Sequence, residues 1–457
     1  MQLMKGNNMS FEKEINLEKL KEEKDNYLND SKNTIIRHGL SKTKINDFVY
    51  SLDKANNRDF KFSIDIKTLP VTNQRQSGRC WIFSACNLLR EHIAKKLGVK
   101  DMFEISQNYV AFYDKLEKIN FTLEAIISNI DLKHDDRKMM FILQNGISDG
   151  GQWDMFVNLV KKYGIVPKAN MVETLQSSFT MQMNRVINSS IREFAYLAQK
   201  EYKESKDLEK VYELKKKYME KFYAFLIDNF GVPPEKFDFE YVDEDKNYHC
   251  IKDLTPQKFA KDYLGDFLDN YVSIIHAPTK DKEFNKTYTI ELLGNVIEGK
   301  KVTHLNLELE RLKQLIIKQL SKGELVWFGS DVSNYGVREN GLGLWDDQSF
   351  DYRSAFGLDI SFEKEHMLDY FQSAMNHAMV LTGVNLVNGK PNRWKVENSW
   401  GEDIGKKGYF VISDSFFDKF VYQAAIDKKY LNKEELKALK GEPTILPMWD
   451  PFGTLAD

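Results

Sequence analysis

The chain is most constrained by one cysteine placed where a turn gives way to an apolar run. In "NQRQSGRCWIFSACNLLREHIAKKLG", residues 73–98, the Ser77-Gly78-Arg79 turn is followed by Cys80 and then by apolar side chains throughout. Good helix formers, basic residues late in the run and Gly98 as a stop predict a helix that starts at Cys80. A helix N-terminus and a nearby imidazolium both favour thiolate over thiol, and only the thiolate is a nucleophile. Gly78 lets backbone approach closely, and Gln74 places an amide donor upstream that can face an oxyanion. Cys86 and Cys250 have no such setting and read as core.

The rest of the composition narrows the class. The three cysteines among 457 residues make no disulfide framework, so a reduced protein is expected. A net charge of -3 gives no bulk attraction to nucleic acid or membrane. No apolar run approaches the ~18–20 residues of a spanning helix. The first residues, "MQLMKGNNMSFEKEINLEKLKEE", have no h-region, so a signal peptide is not expected.

Along the chain the character changes from helical to β. Residues 11–35 are charged and helix-prone, with Leu17, Leu20 and Tyr27 at helical spacing. "GISDGGQWDMFVNLVKKYGIVP" (146–167) reads as a Gly-rich loop and a short helix from Trp153 to Tyr163. From about 170 to 232 apolar residues recur at helical spacing: Leu208, Val211, Leu214, Tyr218, Phe222, Phe225 and Phe230. Gly231 and Pro233 end that run, and the interleaved lysines and glutamates read as a solvated face. "GELVWFGSDV" (323–332), "HAMVLTGVNLV" (377–387), "RWKVENSW" (393–400) and "KGYFVIS" (407–413) read as strands.

A nucleophilic thiol needs a base and a group that orients it. His377 opens one predicted strand, where it can project into a cleft. Asn398 ends the next one, and antiparallel pairing makes the two neighbours. Trp400 is placed to shield an Asn398–His377 hydrogen bond from water. No zinc spacing and no P-loop competes, so no cofactor and no metal are expected.

With Gln74, Cys80, His377 and Asn398 in that order, the chain resembles papain-like cysteine peptidases. It is most similar to the bleomycin hydrolase and aminopeptidase C branch, in "NQRQSGRCWIFSACN", "SDGGQWDMFVNLVKKYGIVPK", "NHAMVLTGV", "WKVENSWGEDIGKKGYF" and "LPMWDPFGTLAD". The resemblance implies an α+β papain-like fold, a helical half plus a β-barrel-like half, with a large helical insertion and a C-terminal arm. Residues 1–65 would be an N-terminal helical extension and 66–170 the helical half with Cys80. Residues 171–320 would be a mainly helical insertion used in oligomerisation, 321–435 the β half with His377 and Asn398, and 436–457 the arm. Two departures stand out. Ser77 replaces the first cysteine of the papain-type signature, and His377 lies roughly twice the usual ~130–150 residues beyond the nucleophile. The insertion accounts for the excess.

The resemblance also implies roles. Cys80 attacks the peptide carbonyl, His377 carries the proton and Asn398 orients it. Gln74 and the Cys80 N–H form the oxyanion hole. The "DGG" loop binds substrate backbone through Gly151, and Asn376 stands beside the histidine where relatives often have Asp. The arm, read as extended, enters the cleft and presents a terminal carboxylate, from Asp457 or from Ala456 after trimming, to the substrate's α-ammonium. The expected protein is a cytoplasmic cysteine aminopeptidase of broad specificity that also acts on bleomycin-like amides. It would assemble as a homohexamer, act on peptides with a free N-terminus and bind neither membrane nor nucleic acid. The alternatives are a non-enzymatic nucleic-acid-binding or assembly protein, and an endopeptidase of the same fold.

Overall fold

The computed structural model describes residues 14–55, 59–100, 103–339 and 341–456. Two compact units are present. In the smaller, residues up to Lys54 combine with Ser349–Ile360. It holds the helices Leu17–Asn29, Ser31–Leu40, Ile45–Val49 and Tyr352–Phe356. Phe48 and Phe356 stack with ring centroids 6.3 Å apart. Leu17, Leu20 and Tyr27 lie on the first helix and are exposed in this chain.

In the larger unit the helix Cys80–Leu97 starts at the cysteine. Gly98 closes it in the left-handed region at φ 65°, where glycine carries no Cβ penalty. Trp81, Ile82, Ala85, Cys86, Leu89 and Ile93 are wholly buried, so this helix is enclosed by core. The helix Trp153–Tyr163 has the predicted bounds. The long helices Met181–Ser205 and Leu208–Phe230 bury Ile187, Ile191 and Phe194 on one and Val211, Phe222 and Leu226 on the other. Leu208 is exposed, and Leu214 and Phe225 are half-buried.

One large sheet carries His377. His377–Val387 lies at its centre, antiparallel to Val326–Ser330 and to Lys390–Glu397. Tyr409–Ser413 follows on the latter side, and Val421–Asp427 on the former. The sheet takes in more chain than the sequence marked. Tyr271–Ile275, Thr287–Ile290 and His304–Asn306, from the stretch assigned to a mainly helical insertion, extend it beyond Val421–Asp427. These strands are three to five residues long and buried throughout, so no alternation of polar and apolar residues announces them. Ile64–Asp65, assigned to the N-terminal extension, pairs with Gly383 and Val384.

Two further expectations are corrected. The arm is not extended along its length. Thr444–Leu446 adds a parallel edge strand beside Thr287–Ile290, but Pro451–Ala456 turns into a 3₁₀ helix. Pro451 fixes its own φ at the first position, and Asp450 caps the turn by accepting the Phe452 N–H at 2.9 Å. Cys250 is exposed instead of core, on the hairpin Phe237–Val242 and Tyr248–Leu254. Its two-stranded sheet leaves one face to solvent. All three cysteines are free thiols.

Candidate active site

Cys80 is buried at the first position of its helix, with no side-chain cap ahead of it. Its sulfur accepts the N–H of Ala378 at 3.4 Å, which sets the thiol beside the residue following His377. The turn before it is held from two sides. Arg79 forks onto Glu173 at 3.2 and 2.8 Å. Gly78 donates its N–H to Asp149 Oδ2 at 2.9 Å, and a Cβ on Gly78 would come within 2.9 Å of the Asp149 Cβ. Asp149 also meets Lys115 Nζ at 2.6 Å and accepts from Asn184 Nδ2 at 2.9 Å and from Thr180 Oγ1. Burial alone would raise its pKa, but Lys115 and these hydrogen bonds outweigh burial and hold the carboxyl far below its ordinary range. The Asp149 carbonyl accepts the indole N–H of Trp81 at 2.6 Å. Asp149 thereby fixes both the turn before the thiol and the indole after it.

His377 is buried at the start of its strand, and its Nε2 lies 2.9 Å from Asn398 Oδ1. The imidazole stacks on Trp400 with ring centroids 4.8 Å apart at 26°. Asn398 follows the strand Lys390–Glu397, whose last residue is tied to the Cys80 helix. Arg90 Nη2 reaches Glu397 Oε1 at 3.1 Å, and Asn87 Nδ2 donates to the same oxygen at 2.9 Å. This buried link fixes the strand end that carries Asn398 against the helix that carries the thiol.

Burial controls the protonation of the pair. It pushes the Cys80 thiol up to about 11, opposed by the N–H of Ala378. It pulls the His377 imidazole down to about 4; the Asn398 hydrogen bond opposes this and the Arg338 charge adds to it. Each group thus resists a net charge of its own. A thiolate and an imidazolium formed together would each be the other's counter-ion.

Gln74 lies over the same turn. Its Nε2 donates to the Ser77 carbonyl at 2.6 Å, leaving one N–H free. Its Oε1 accepts the Ser399 hydroxyl at 2.6 Å, and its own N–H donates to the Ser399 carbonyl at 2.8 Å. Sequence reading passed over Ser399 and Asp149. The first stands beside Asn398 and the second opens the "DGG" loop, so proximity to quoted motifs was the only signal for either.

The arm lies on that loop. The Gly151 N–H donates to the Leu455 carbonyl at 2.9 Å, Ser148 Oγ bonds the Ala456 carbonyl, and Gln152 Nε2 donates to the Phe452 carbonyl at 3.1 Å. A Cβ on Gly150 would strike the Leu455 carbonyl at 2.3 Å, and one on Gly151 the Trp81 ring at 2.5 Å. Phe452 and Leu455 are buried, and Arg137 stacks on Trp449. Asp457 lies outside the described residues. Asn376 is not drawn to the arm. Its Nδ2 donates to Asp331 Oδ1 at 2.6 Å and to Ser333 Oγ at 2.7 Å, holding the loop after Val326–Ser330. Among the described residues, three potential metal ligands converge only at Glu365, His366 and Asp369, on a short helix outside this site.

Comparison with known proteins agrees with this geometry. A family model described as the peptidase C1-like family matches residues 14–453. The aminopeptidase C of Lactobacillus delbrueckii subsp. lactis is 48% identical over 401 residues, covering 87% of this chain and 89% of that protein. The bleomycin hydrolase of Mus musculus is 38% identical over 397 residues, covering 85% and 86%. The crystal structure of pepw from Lactobacillus rhamnosis superposes with a TM-score of 0.94 at 44% identity, covering 97% of this chain and 99% of that one.

Proposed function

The chain belongs to the peptidase C1-like family, and from that premise we propose that it is a cysteine aminopeptidase whose own C-terminal arm selects for free N-termini. The observation that carries the selectivity is the Leu455 carbonyl on the Gly151 N–H. A peptide running through the cleft would need that N–H for its own backbone, and the arm already holds it. The residues ahead of the scissile bond are thereby limited to what fits beyond the arm. A carboxylate at the arm's end would attract the substrate's α-ammonium; at ~4 Å and an effective dielectric of ~20 the gross gain is about 4 kcal/mol, less desolvation.

Chemistry follows from the pair. Cys80 passes its proton to His377 as its sulfur attacks the carbonyl carbon of the first residue. The oxyanion formed takes the free N–H of Gln74 and the N–H of Cys80. As the C–N bond breaks, His377 gives its proton to the leaving amine. Asn398 keeps the imidazole oriented through both transfers, and Trp400 covers that hydrogen bond. Water then attacks the thioester with His377 as base, releasing the first residue and restoring the thiol.

The homohexamer and the cytoplasmic setting belong to the same proposal. Met181, Tyr196, Tyr212 and Tyr223 stand exposed on the helices Met181–Ser205 and Leu208–Phe230, which gives that segment apolar surface for neighbours. Three free thiols suit a reducing compartment. No helix among the described residues is long and apolar enough to cross a membrane. Purified protein assayed on amino-acid amides and on N-acetylated peptides tests the function. Cleavage of the unblocked set alone is expected, and equal cleavage of both would overturn the aminopeptidase reading.

A further inference from the structure

The chemistry above leaves one cation beside the base unused. Arg338 lies exposed on the strand Gly336–Glu339. Its guanidinium carbon is 4.7 Å from the centroid of the Trp400 ring, the ring that stacks on His377. One of its five N–H donors is spent on the Val332 carbonyl, from Nη2 at 2.7 Å. Among the described residues no carboxylate pairs with it.

The position of the leaving group follows from the proton it receives. His377 protonates the leaving amine, so the leaving residue must lie against the imidazole. The arm, on Ser148, Gly151 and Gln152, covers the acyl side. The leaving residue is left with the Trp400 side, where its nearest charged group meets Arg338. An α-carboxylate is one carbon removed from the amine nitrogen, and an acidic side chain is little further.

We propose that Arg338 is a specificity-determining residue that binds a carboxylate on the leaving residue of the substrate, either its α-carboxylate or an acidic side chain. This rests on the peptidase reading of the site. A guanidinium suits a carboxylate because its planar fork offers two parallel donors. Binding there also offsets the positive charge that disfavours imidazolium at His377, so an acidic leaving residue favours the transfer from Cys80 that precedes its release.

The test compares initial release of the first residue from Ala-Ala, Ala-Ala amide, Ala-Asp amide, Ala-Asn amide and alanine p-nitroanilide. Arg338→Met keeps an apolar stem against Trp400 and removes the charge. It should lower kcat/KM for a carboxylate-bearing substrate about tenfold, mostly through KM, and leave the uncharged substrates within about twofold. Arg338→Lys should recover most of the loss. A drop confined to Ala-Ala assigns the α-carboxylate, and one confined to Ala-Asp amide assigns the side chain; either supports the proposal. An equal fall on every substrate would make Arg338 a packing partner of Trp400 alone and overturn it, as would no change on any. Wild-type protein inert on alanine p-nitroanilide would instead overturn the peptidase reading, and this proposal with it.

Discussion

The N–H of Gly151 points at the carbonyl of Leu455, 2.9 Å away, so the loop that would bind substrate backbone binds the protein's own arm. Deleting residues 454–457 frees that N–H. Phe452, Trp449 and the Asp450–Lys282 pair at 2.8 Å still anchor the arm upstream, so the truncated protein should fold. It should gain cleavage of N-acetylated peptides and lose rate on unblocked amino-acid substrates. Retention of the full preference for free N-termini, measured on matched blocked and unblocked substrates, would sink this account of the arm.

Cys80→Ala should abolish peptidase activity, by on the order of 10⁴-fold or more, because members of such a unit fail together. Labelling needs care, since Cys250 is exposed and will react in any case. In a Cys250→Ala background, iodoacetamide should alkylate one thiol in step with loss of activity. Peptide mass mapping should place it on Cys80, while Cys86, wholly buried, stays free. Full activity after stoichiometric alkylation of Cys80 would exclude it as nucleophile.

Gln74→Ala should cost about 10²–10³ in kcat through the lost oxyanion donor. Ser399→Ala removes only the hydroxyl that holds Gln74 Oε1, while the backbone contact between the two residues stays. About a tenfold fall in kcat is expected there, the scale of one hydrogen bond, with KM little changed. Ser399→Thr keeps the hydroxyl and should restore most of the rate. A KM-only effect for both alanine variants would remove Gln74 from the oxyanion role.

The buried histidines set an acid limit on stability. His377 is held at about 4, and His276 and His304 at about 3, all chiefly by burial. In the unfolded chain each titrates near ~6.5. Between those values the unfolded state binds more protons, so stability falls as pH drops from about 6.5 toward 4. Each imidazole contributes a slope on the order of 1.4 kcal/mol per pH unit in that window. Melting temperature followed from pH 7 to 4.5 should show this decline. His304→Gln should flatten part of it, and an unchanged slope would mean that His304 titrates normally in the fold.

Much of the site was legible because its signals are local. A helix start is written in the turn and the apolar run around Cys80, and the bounds of Trp153–Tyr163 in its flanking glycines. His377 and Asn398 sit at the same open end of an antiparallel strand pair whose apolar runs and turn are visible in sequence. Their 2.9 Å contact follows once the strands pair.

Tertiary structure decided what depends on neighbours distant in sequence. Asp149 matters because folding brings Gly78, Lys115, Thr180 and Asn184 to one carboxylate. Arg338 becomes a candidate only when folding brings it to Trp400, the ring on which His377 stacks. The strands at 271–306 are buried on both faces, and burial on both faces erases the period by which a strand is read. Cys250 had no local sign of exposure, because a two-stranded hairpin and a core strand share one residue pattern. The sequence determined where the helices Cys80–Leu97 and Trp153–Tyr163 begin and end, through backbone preferences that act over a few residues. Which side chains then meet, and which face water, is settled by packing across the whole chain.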